Sequence, residues 1–322
     1  MTQQPRIVFF GTPSFAVPTL ERLHREWGVV AVVTAPDAPA GRGRRLQPPA
    51  VKVAAEQLGI QPILQPPALR DTEFINQLRA LAADVFCVLA FRILPPEIFA
   101  LPQLAFNVHP SLLPKFRGPA PIAHTIIAGE RETGITTFIL SERVDAGMIL
   151  LQERIAIPDG LTAGDLAALL APQCGELASR TIAAWCEGTL KPIPQNDALA
   201  TKAPKLYAES AWINWNSDAE HIRNWIHGHS PEPGAWTLLD GIRLKIYRAR
   251  IEESEQYHKQ PGTWEMDKST WRVHCQKGTL ELVEVQLPGK RIMQAAEVVR
   301  GWRSQRCGVF HHPSVVSHET AR

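Results

Sequence analysis

The chain has 322 residues and a mass of 35.7 kDa, room for about two domains at roughly 100–200 residues each. With 45% apolar and 20% charged residues it can bury a core, which excludes a disordered chain, and no stretch approaches the ~18 uninterrupted apolar residues of a membrane helix. The formal charge is +2, so any polyanion must be held by local patches rather than by the overall field.

Met1-Thr-Gln-Gln-Pro-Arg6 leads directly into a strand-like run, which predicts neither a secretory leader nor a transit sequence and a cytoplasmic protein. Arg6-Ile-Val-Phe-Phe10 reads as a buried strand stopping at Gly11. Phe15 to Trp27 carries apolar residues at helical spacing, and Val29–Val33 is a second buried strand. Val51 to Leu58 and Phe74 to Leu81 read as helices, and Val85 to Ala90 as a strand. Further strands are predicted at Ala105–Val108, Ile135–Leu140 and Ile149–Ile157, before a long amphipathic helix from Leu161 to Trp185. Apolar runs separated by helices predict an α/β domain over 1–187: a Rossmann-like, mostly parallel sheet covered on both faces. Residues 188–206 are polar and Pro-marked and read as a linker. Beyond them a short helix at Ala219–Ile226 precedes short strands at Trp236–Leu238, Ile242–Ala249, Thr263–Glu265, Trp271–His274 and Leu280–Leu287. Five short strands in about a hundred residues predict a small OB-like β-barrel over 207–315.

Five cysteines, none in a C-x-x-C pair, read as buried reduced thiols, and the scattered histidines give no metal-ligand spacing. His221, His227 and His229 are expected on a partly exposed surface. Trp212, Trp215, Trp225 and Trp236 are expected in the core of the small barrel, with no site role.

Three segments carry chemistry. Gly11-Thr12-Pro13 closes the first strand and opens a helix, where open parallel sheets bind ligands, but it is neither a dinucleotide fingerprint nor a phosphate loop. Pro39-Ala-Gly-Arg-Gly-Arg-Arg-Leu46 sets Arg42 between two glycines, followed by Arg44 and Arg45 and then Lys52. No acid occurs from Ala38 to Ala55. A flexible loop offering forked guanidinium donors suits an RNA backbone. In Asn107-Val-His-Pro-Ser-Leu-Leu-Pro114, Asn107 and His109 lie two apart at a strand end and so share a face. An amide donor beside an imidazole suits a reaction that develops an oxyanion and moves a proton. Asp145, in Val144-Asp-Ala-Gly147, is the candidate to orient the imidazole.

These segments, with Phe9-Phe-Gly-Thr-Pro-Ser-Phe-Ala16, Arg117-Gly118, Thr133-Gly-Ile-Thr136, Ala203-Pro-Lys-Leu206, Trp212-Ile-Asn-Trp215, Pro231-Glu-Pro-Gly-Ala-Trp236 and Leu287-Pro-Gly-Lys290, occur in an order that resembles the methionyl-tRNA formyltransferase family over nearly the whole chain. The resemblance implies transfer of a formyl group from 10-formyltetrahydrofolate to initiator methionyl-tRNA, with no metal, no membrane and a monomeric enzyme. It places the family's catalytic trio on Asn107, His109 and Asp145. Its folate-contacting turn falls on Ser111, Leu112, Leu113 and Pro114, and its pterin-pocket wall on Phe91, Arg92, Ile93 and Leu94. Its tRNA loop falls on Arg42 and its neighbours. The sequence departs from the family pattern in three places: Phe91-Arg92 where Tyr-Gly is common, Met148 where many members carry an acid, and Pro110 where a small residue is usual. Two enzymes of other specificity, a nucleotide-sugar formyltransferase and a folate-dependent hydrolase, would keep the trio. A non-catalytic RNA-binding protein would use only the barrel and bind no folate.

Overall fold

The computed structural model describes residues 4–40, 45–252 and 259–310. Within those limits the chain forms two compact units, the first from Met1–Pro121, Glu132–Ala156 and Ala167–Ala203, the second from Ile122–Arg131, Ile157–Leu166 and Pro204–Arg322. In chain order the elements are β1 (Ile7–Gly11), α1 (Val17–Trp27), β2 (Val29–Val33), β3 (Ala38–Ala40), β4 (Arg45–Gln47), α2 (Ala50–Gln57), β5 (Ile63–Leu64), α3 (Thr72–Ala80), β6 (Val85–Leu89), α4 (Pro96–Phe99), β7 (Leu104–His109), α5 (Pro121–Ile127), β8 (Glu132–Ile139), β9 (Ile149–Ala156) and α6 (Ala163–Cys186). They continue as α7 (Ala219–Gly228), β10 (Ala235–Leu239), β11 (Ile242–Glu252), β12 (Thr263–Asp267), β13 (Thr270–His274), β14 (Thr279–Gln286), β15 (Met293–Gln294), α8 (Ala295–Gly301) and β16 (Cys307–Val309).

The first unit is built on a seven-stranded sheet of order β5-β2-β1-β6-β7-β8-β9. The strands from β5 to β7 are parallel; β8 and β9 run antiparallel at one edge. The uninterrupted apolar runs explain the parallel part. Every residue of β1 and of β6 is buried, as a strand with helices on both faces requires. Val8, Phe10, Phe86 and Val88 pack with Phe74 and Leu78 of α3 on one face. β9 alternates half-buried and exposed residues along most of its length, the pattern of an edge strand with a single covered face. The sequence reading did not distinguish these edge strands from the parallel ones. It also missed β5, α4, α5, α8 and the β3–β4 hairpin, all too short to show a period. Because β1, β6 and β7 are parallel and in register (Gly11 beside Leu89, Val88 beside Asn107), their carboxyl ends share one edge of the sheet.

The second unit is an OB-like curled antiparallel sheet of order β10-β11-β14-β13-β12-β16, with α7 against β11. Among the described residues nothing pairs β16 with β10, so the sheet is a half-barrel rather than a closed one. Its core is aromatic: Trp215, Trp264, Trp271 and Phe310 are buried and their rings meet at centroid distances of 5.4 to 6.3 Å. Trp236 is buried too, and Trp225 packs against the same cluster, in line with the core reading of the tryptophans.

Three further expectations are corrected. His227 and His229 are buried, not surface residues, because they sit on the inner face and end of α7; His221 alone is exposed. Cys186 and Cys307 are exposed, and Cys87, Cys174 and Cys275 are buried. The stretch from 193 to 203 belongs to the first unit, held along its surface by hydrogen bonds: Ile193 pairs with Ile149 and Lys202 bridges to Arg117. Among the described residues no helix is long and apolar enough to cross a membrane.

The burial of His227 makes a stability prediction. Loss of hydration lowers its pKa to about 4, and its Nε2 sits 2.9 Å from the Ala249 carbonyl. The unfolded chain therefore takes up a proton near pH 6.5 that the folded chain refuses until about pH 4. Stability is intact above the unfolded value and falls as the pH drops through that window, by at most about 3 kcal/mol from this group. Denaturant unfolding of the wild type and of His227→Gln at pH 7 and pH 4.5 is expected to show a smaller acid loss in the variant. Equal losses would refute the assignment.

Candidate active site

The site forms at the shared carboxyl edge of β1, β6 and β7. Along β7 the side chains alternate, so Asn107 and His109 leave the strand on one face. The β7–β8 register sets Asn107 opposite Phe138 and His109 opposite Thr136. His109 is buried; Asn107 is half-exposed, and its amide makes no side-chain hydrogen bond among the described residues. Asp145, on the β8–β9 connection, brings its Oδ2 to 3.8 Å from His109 Nδ1.

Two backbone groups fix this pair. His109 Nε2 donates to the Phe116 carbonyl at 2.9 Å, which assigns the Nε2–H tautomer and leaves the Nδ1 lone pair facing Asp145. The Gly118 N–H donates to Asp145 Oδ2 at 2.8 Å. Asp145, expected to orient the imidazole, lies beyond hydrogen-bond distance of it; the Phe116 carbonyl fixes the tautomer. Burial holds the His109 pKa below its ordinary value, and the opposing pull of Asp145 and of the Phe116 bond only limits the drop. His109 is therefore neutral near pH 7.

Backbone strain concentrates here. Among the described residues, five non-glycines have positive φ, and Ala90 (51°), Phe116 (61°) and Asp145 (52°) flank the site. The Phe116 N–H donates to Thr201 Oγ1 at 2.8 Å, which steadies the carbonyl that receives His109. Two glycines are sterically required. A Cβ on Gly147 would overlap the Ile139 carbonyl oxygen, and one on Gly118, at φ +129°, would come within 2.5 Å of the Ala203 carbonyl oxygen.

The turn after His109 is braced from the neighbouring strands. Ser111 Oγ donates to the Lys115 carbonyl, and Thr136 Oγ1 donates to the Ser111 carbonyl, both at 2.7 Å. Thr136 Oγ1 accepts from the Leu113 N–H at 3.2 Å, and Gln152 Nε2 donates to the Leu113 carbonyl at 3.0 Å. Ser111 and Leu113 are buried and their side chains serve the turn itself; Leu112 and Pro114 are half-exposed. The Ser111 hydroxyl is thus engaged within the turn. Beyond β6, Phe91 meets Phe10 edge-on at 5.7 Å and Ile93 is 73% exposed, while Leu94 is buried. Arg92 is tied to the Pro66 carbonyl at 2.7 Å and to that of Pro67 at 3.1 Å, and lies over the Phe91 ring.

Arg42 and Arg44, and the side chain of Arg45, lie outside the described residues. Lys52 has a partner that the acid-free run concealed: Asp37, one residue before it, receives its Nζ at 2.8 and 2.9 Å and Gln65 Nε2 at 2.7 Å. That pair spans the base of the β3–β4 hairpin. A neutralised ammonium is a poor phosphate ligand, so Lys52 braces the hairpin and is not a free cation.

The sequence reading had no signal for Phe116 or Thr201. Thr136 lay within a segment singled out for resemblance, but its bracing of the turn depends on the β7–β8 pairing.

Residues 5–182 match the family description "Formyl transferase" and residues 205–303 match "Formyl transferase, C-terminal domain". The chain is 41% identical over 303 residues to a methionyl-tRNA formyltransferase of Moorella thermoacetica, covering 92% of this chain and 96% of that protein. It is 43% identical over 300 residues to one of Caldanaerobacter subterraneus subsp. tengcongensis, covering 92% and 96%. Among solved structures, an N-formyltransferase of Helicobacter canadensis in complex with folinic acid and dTDP-3-aminofucose superposes with a TM-score of 0.64 at 20% identity, over 86% of this chain and 98% of that one. HypX of Aquifex aeolicus in complex with tetrahydrofolic acid superposes with a TM-score of 0.62 at 17% identity, over 96% of this chain and 51% of that one. At these identities the structural likeness establishes the fold alone.

Proposed function

Because this chain belongs to the formyl transferase family, we propose that it moves the formyl group of 10-formyltetrahydrofolate to the free amino group of methionyl-initiator tRNA, releasing tetrahydrofolate and N-formylmethionyl-tRNA for translation initiation. The geometric observation that carries this is the meeting of a free amide, a neutral imidazole and a carboxylate at one sheet edge. The acceptor is supported by relatives named for that substrate across both matched segments.

The steps are addition and elimination. The methionyl amine attacks the formyl carbon, the carbonyl π pair moves to oxygen, and the Asn107 amide donates to that oxyanion. The attacking nitrogen must lose a proton and the folate nitrogen must gain one to leave. His109, neutral with a free Nδ1 lone pair, takes the first proton and supplies the second. While His109 carries the proton, the nearby Asp145 carboxylate stabilises the imidazolium. When the carbonyl reforms and the folate C–N bond breaks, His109 returns to neutral. Each step moves only a proton or an electron pair within polar bonds, so no metal is called on.

Folate sits along the segment Phe91, Arg92, Ile93 and Leu94 and the turn Ser111–Pro114, with the turn offering backbone groups rather than the Ser111 hydroxyl. Binding of the acceptor-stem phosphates is assigned to Arg42, Arg44 and Arg45, and Lys52 pairs with Asp37. The first unit is the catalytic domain, the second the OB-like tRNA-binding domain, and the enzyme works as a monomer in the cytoplasm.

The test is direct. Given 10-formyltetrahydrofolate, charged initiator tRNA and an amino-sugar nucleotide in competition, the protein should formylate the tRNA. Formyl sugar or free formate as the sole product would reject the reading. In the same assay Arg42→Ala should raise KM for tRNA several-fold and leave KM for folate unchanged; a change in folate KM alone would move the arginine loop to the folate side.

A further inference from the structure

Gln195 stands in the polar, proline-marked stretch whose composition suggests a tether, yet its amide is fully committed inside the first unit. Nε2 donates to the carbonyl oxygens of Asp145 at 2.9 Å and Gly147 at 2.8 Å. Oε1 accepts from Arg117 Nε at 3.0 Å and Nη2 at 2.7 Å. A primary amide has two donor hydrogens and two lone pairs, so all four are used. The circuit closes on itself: Gly118, next to Arg117, donates its N–H to the Asp145 carboxylate. Asp145 is thus gripped twice, at its backbone through Gln195 and at its side chain through Gly118. It needs such a grip, because it sits at φ +52°, a conformation that surroundings must enforce on a non-glycine.

Gln195 is itself well seated. Two residues earlier, Ile193 and Ile149 exchange both backbone hydrogen bonds at 2.8 Å. Arg117 is held by Asp197 at 2.8 Å and by backbone bonds to Thr201 and Ala203. These contacts converge on the loop that aims one carboxylate.

We propose that Gln195 is a positioning residue for the formyl transfer, setting the Asp145 carboxylate against His109 without touching substrate. This rests on the formyl-transfer reading above. Among the described residues Asp145 is the charged group that acts on His109, so a displaced Asp145 is felt there as a lost field.

The discriminating variant is Gln195→Glu. It keeps both acceptor bonds to Arg117 but turns a carboxylate oxygen, with no hydrogen to donate, toward two carbonyls. A shift of about 1 Å in a supporting group can cost about 10²-fold in rate. The expected result on the full-length protein is a 30- to 100-fold fall in kcat (roughly, by that scale), with KM for folate and tRNA within about threefold of wild type. Followed by NMR in the free Gln195→Met protein, which adds no charge, the His109 titration midpoint should move further down. The double variant Asp145→Asn with Gln195→Glu should lose no more than Asp145→Asn alone. Gln195→Met, isosteric and unable to bond to either side, provides the second reading if the glutamate variant unfolds.

A kcat within threefold of wild type, an unmoved His109 midpoint, or losses that multiply in the double variant would each overturn the proposal. The titration uses no substrate, so a wild-type protein that formylates nothing would end the parent reading and leave the role of Gln195 still decided.

Discussion

Replacing His109 with alanine is expected to lower kcat about 10³-fold, within the span of roughly 10²–10⁴ seen when a general acid–base is removed. The size follows from the site. His109 is buried, its Nε2–H is committed to Phe116, and Nδ1 is the single free proton acceptor it presents. Removal also leaves the Phe116 carbonyl without its donor, which costs about 1–3 kcal/mol of stability, so unfolding must be measured beside turnover.

The pH profile gives the same residue a second test. Catalysis starts from the neutral imidazole, and burial has lowered its pKa. The neutral form is complete above the ordinary value of about 6.5 and persists below it. The acid limb of kcat/KM should therefore lie below pH 6.5 in the wild type. In Asp145→Asn, where the one raising charge is gone, it should lie lower still. Turnover of His109→Ala within a few-fold of wild type, in a folded protein, would reject the assignment, and so would an acid limb above pH 6.5.

Asn107→Ala should reduce kcat by about 10²–10³, the usual cost of one oxyanion donor, equivalent to roughly 3–4 kcal/mol of transition-state stabilisation. Among the described residues the amide makes no side-chain hydrogen bond, so the thermal unfolding midpoint should barely move. KM should change little, because the charge it meets develops only in the transition state. Asn107→Asp is the sharper variant. It preserves shape but sets an acceptor, and at neutral pH a negative charge, where negative charge must form, so its loss should exceed that of alanine. Comparable turnover in wild type and Asn107→Asp would show that the amide is not aimed at the oxyanion.

The order of loss across these variants separates proton transfer from charge stabilisation. His109→Ala should respond to an added small imidazole or amine base, since a missing proton carrier can be replaced from solution. Asn107→Ala should not, since a missing fixed dipole cannot. Rescue of the second and not the first would invert the two roles.

What the sequence determined by itself was whatever is encoded within one element. The uninterrupted apolar runs of β1, β2 and β6 announce strands buried on both faces, and the N-x-H spacing on β7 puts two side chains on one face because strand geometry repeats every second residue. The rest depends on contacts between segments far apart in the chain. Asp145 lies thirty-six residues beyond His109, and nothing in either segment fixes the 3.8 Å between them; the β7–β8–β9 pairing does. The Phe116 carbonyl is a backbone group with no residue signature, and only the fold reveals that it chooses the tautomer. Lys52 looked unpaired because its partner, Asp37, closes a hairpin from the other side. His227 looked exposed because polarity suggests the surface, whereas helix α7 turns it inward onto β11. Gln195 looked like tether because composition reports how a segment would behave free in water, and this one is bound on both faces of its amide. Local periodicity is written in neighbouring residues; the partner of a polar group is set by which distant backbone arrives beside it, and that is decided only when the sheet closes its edges.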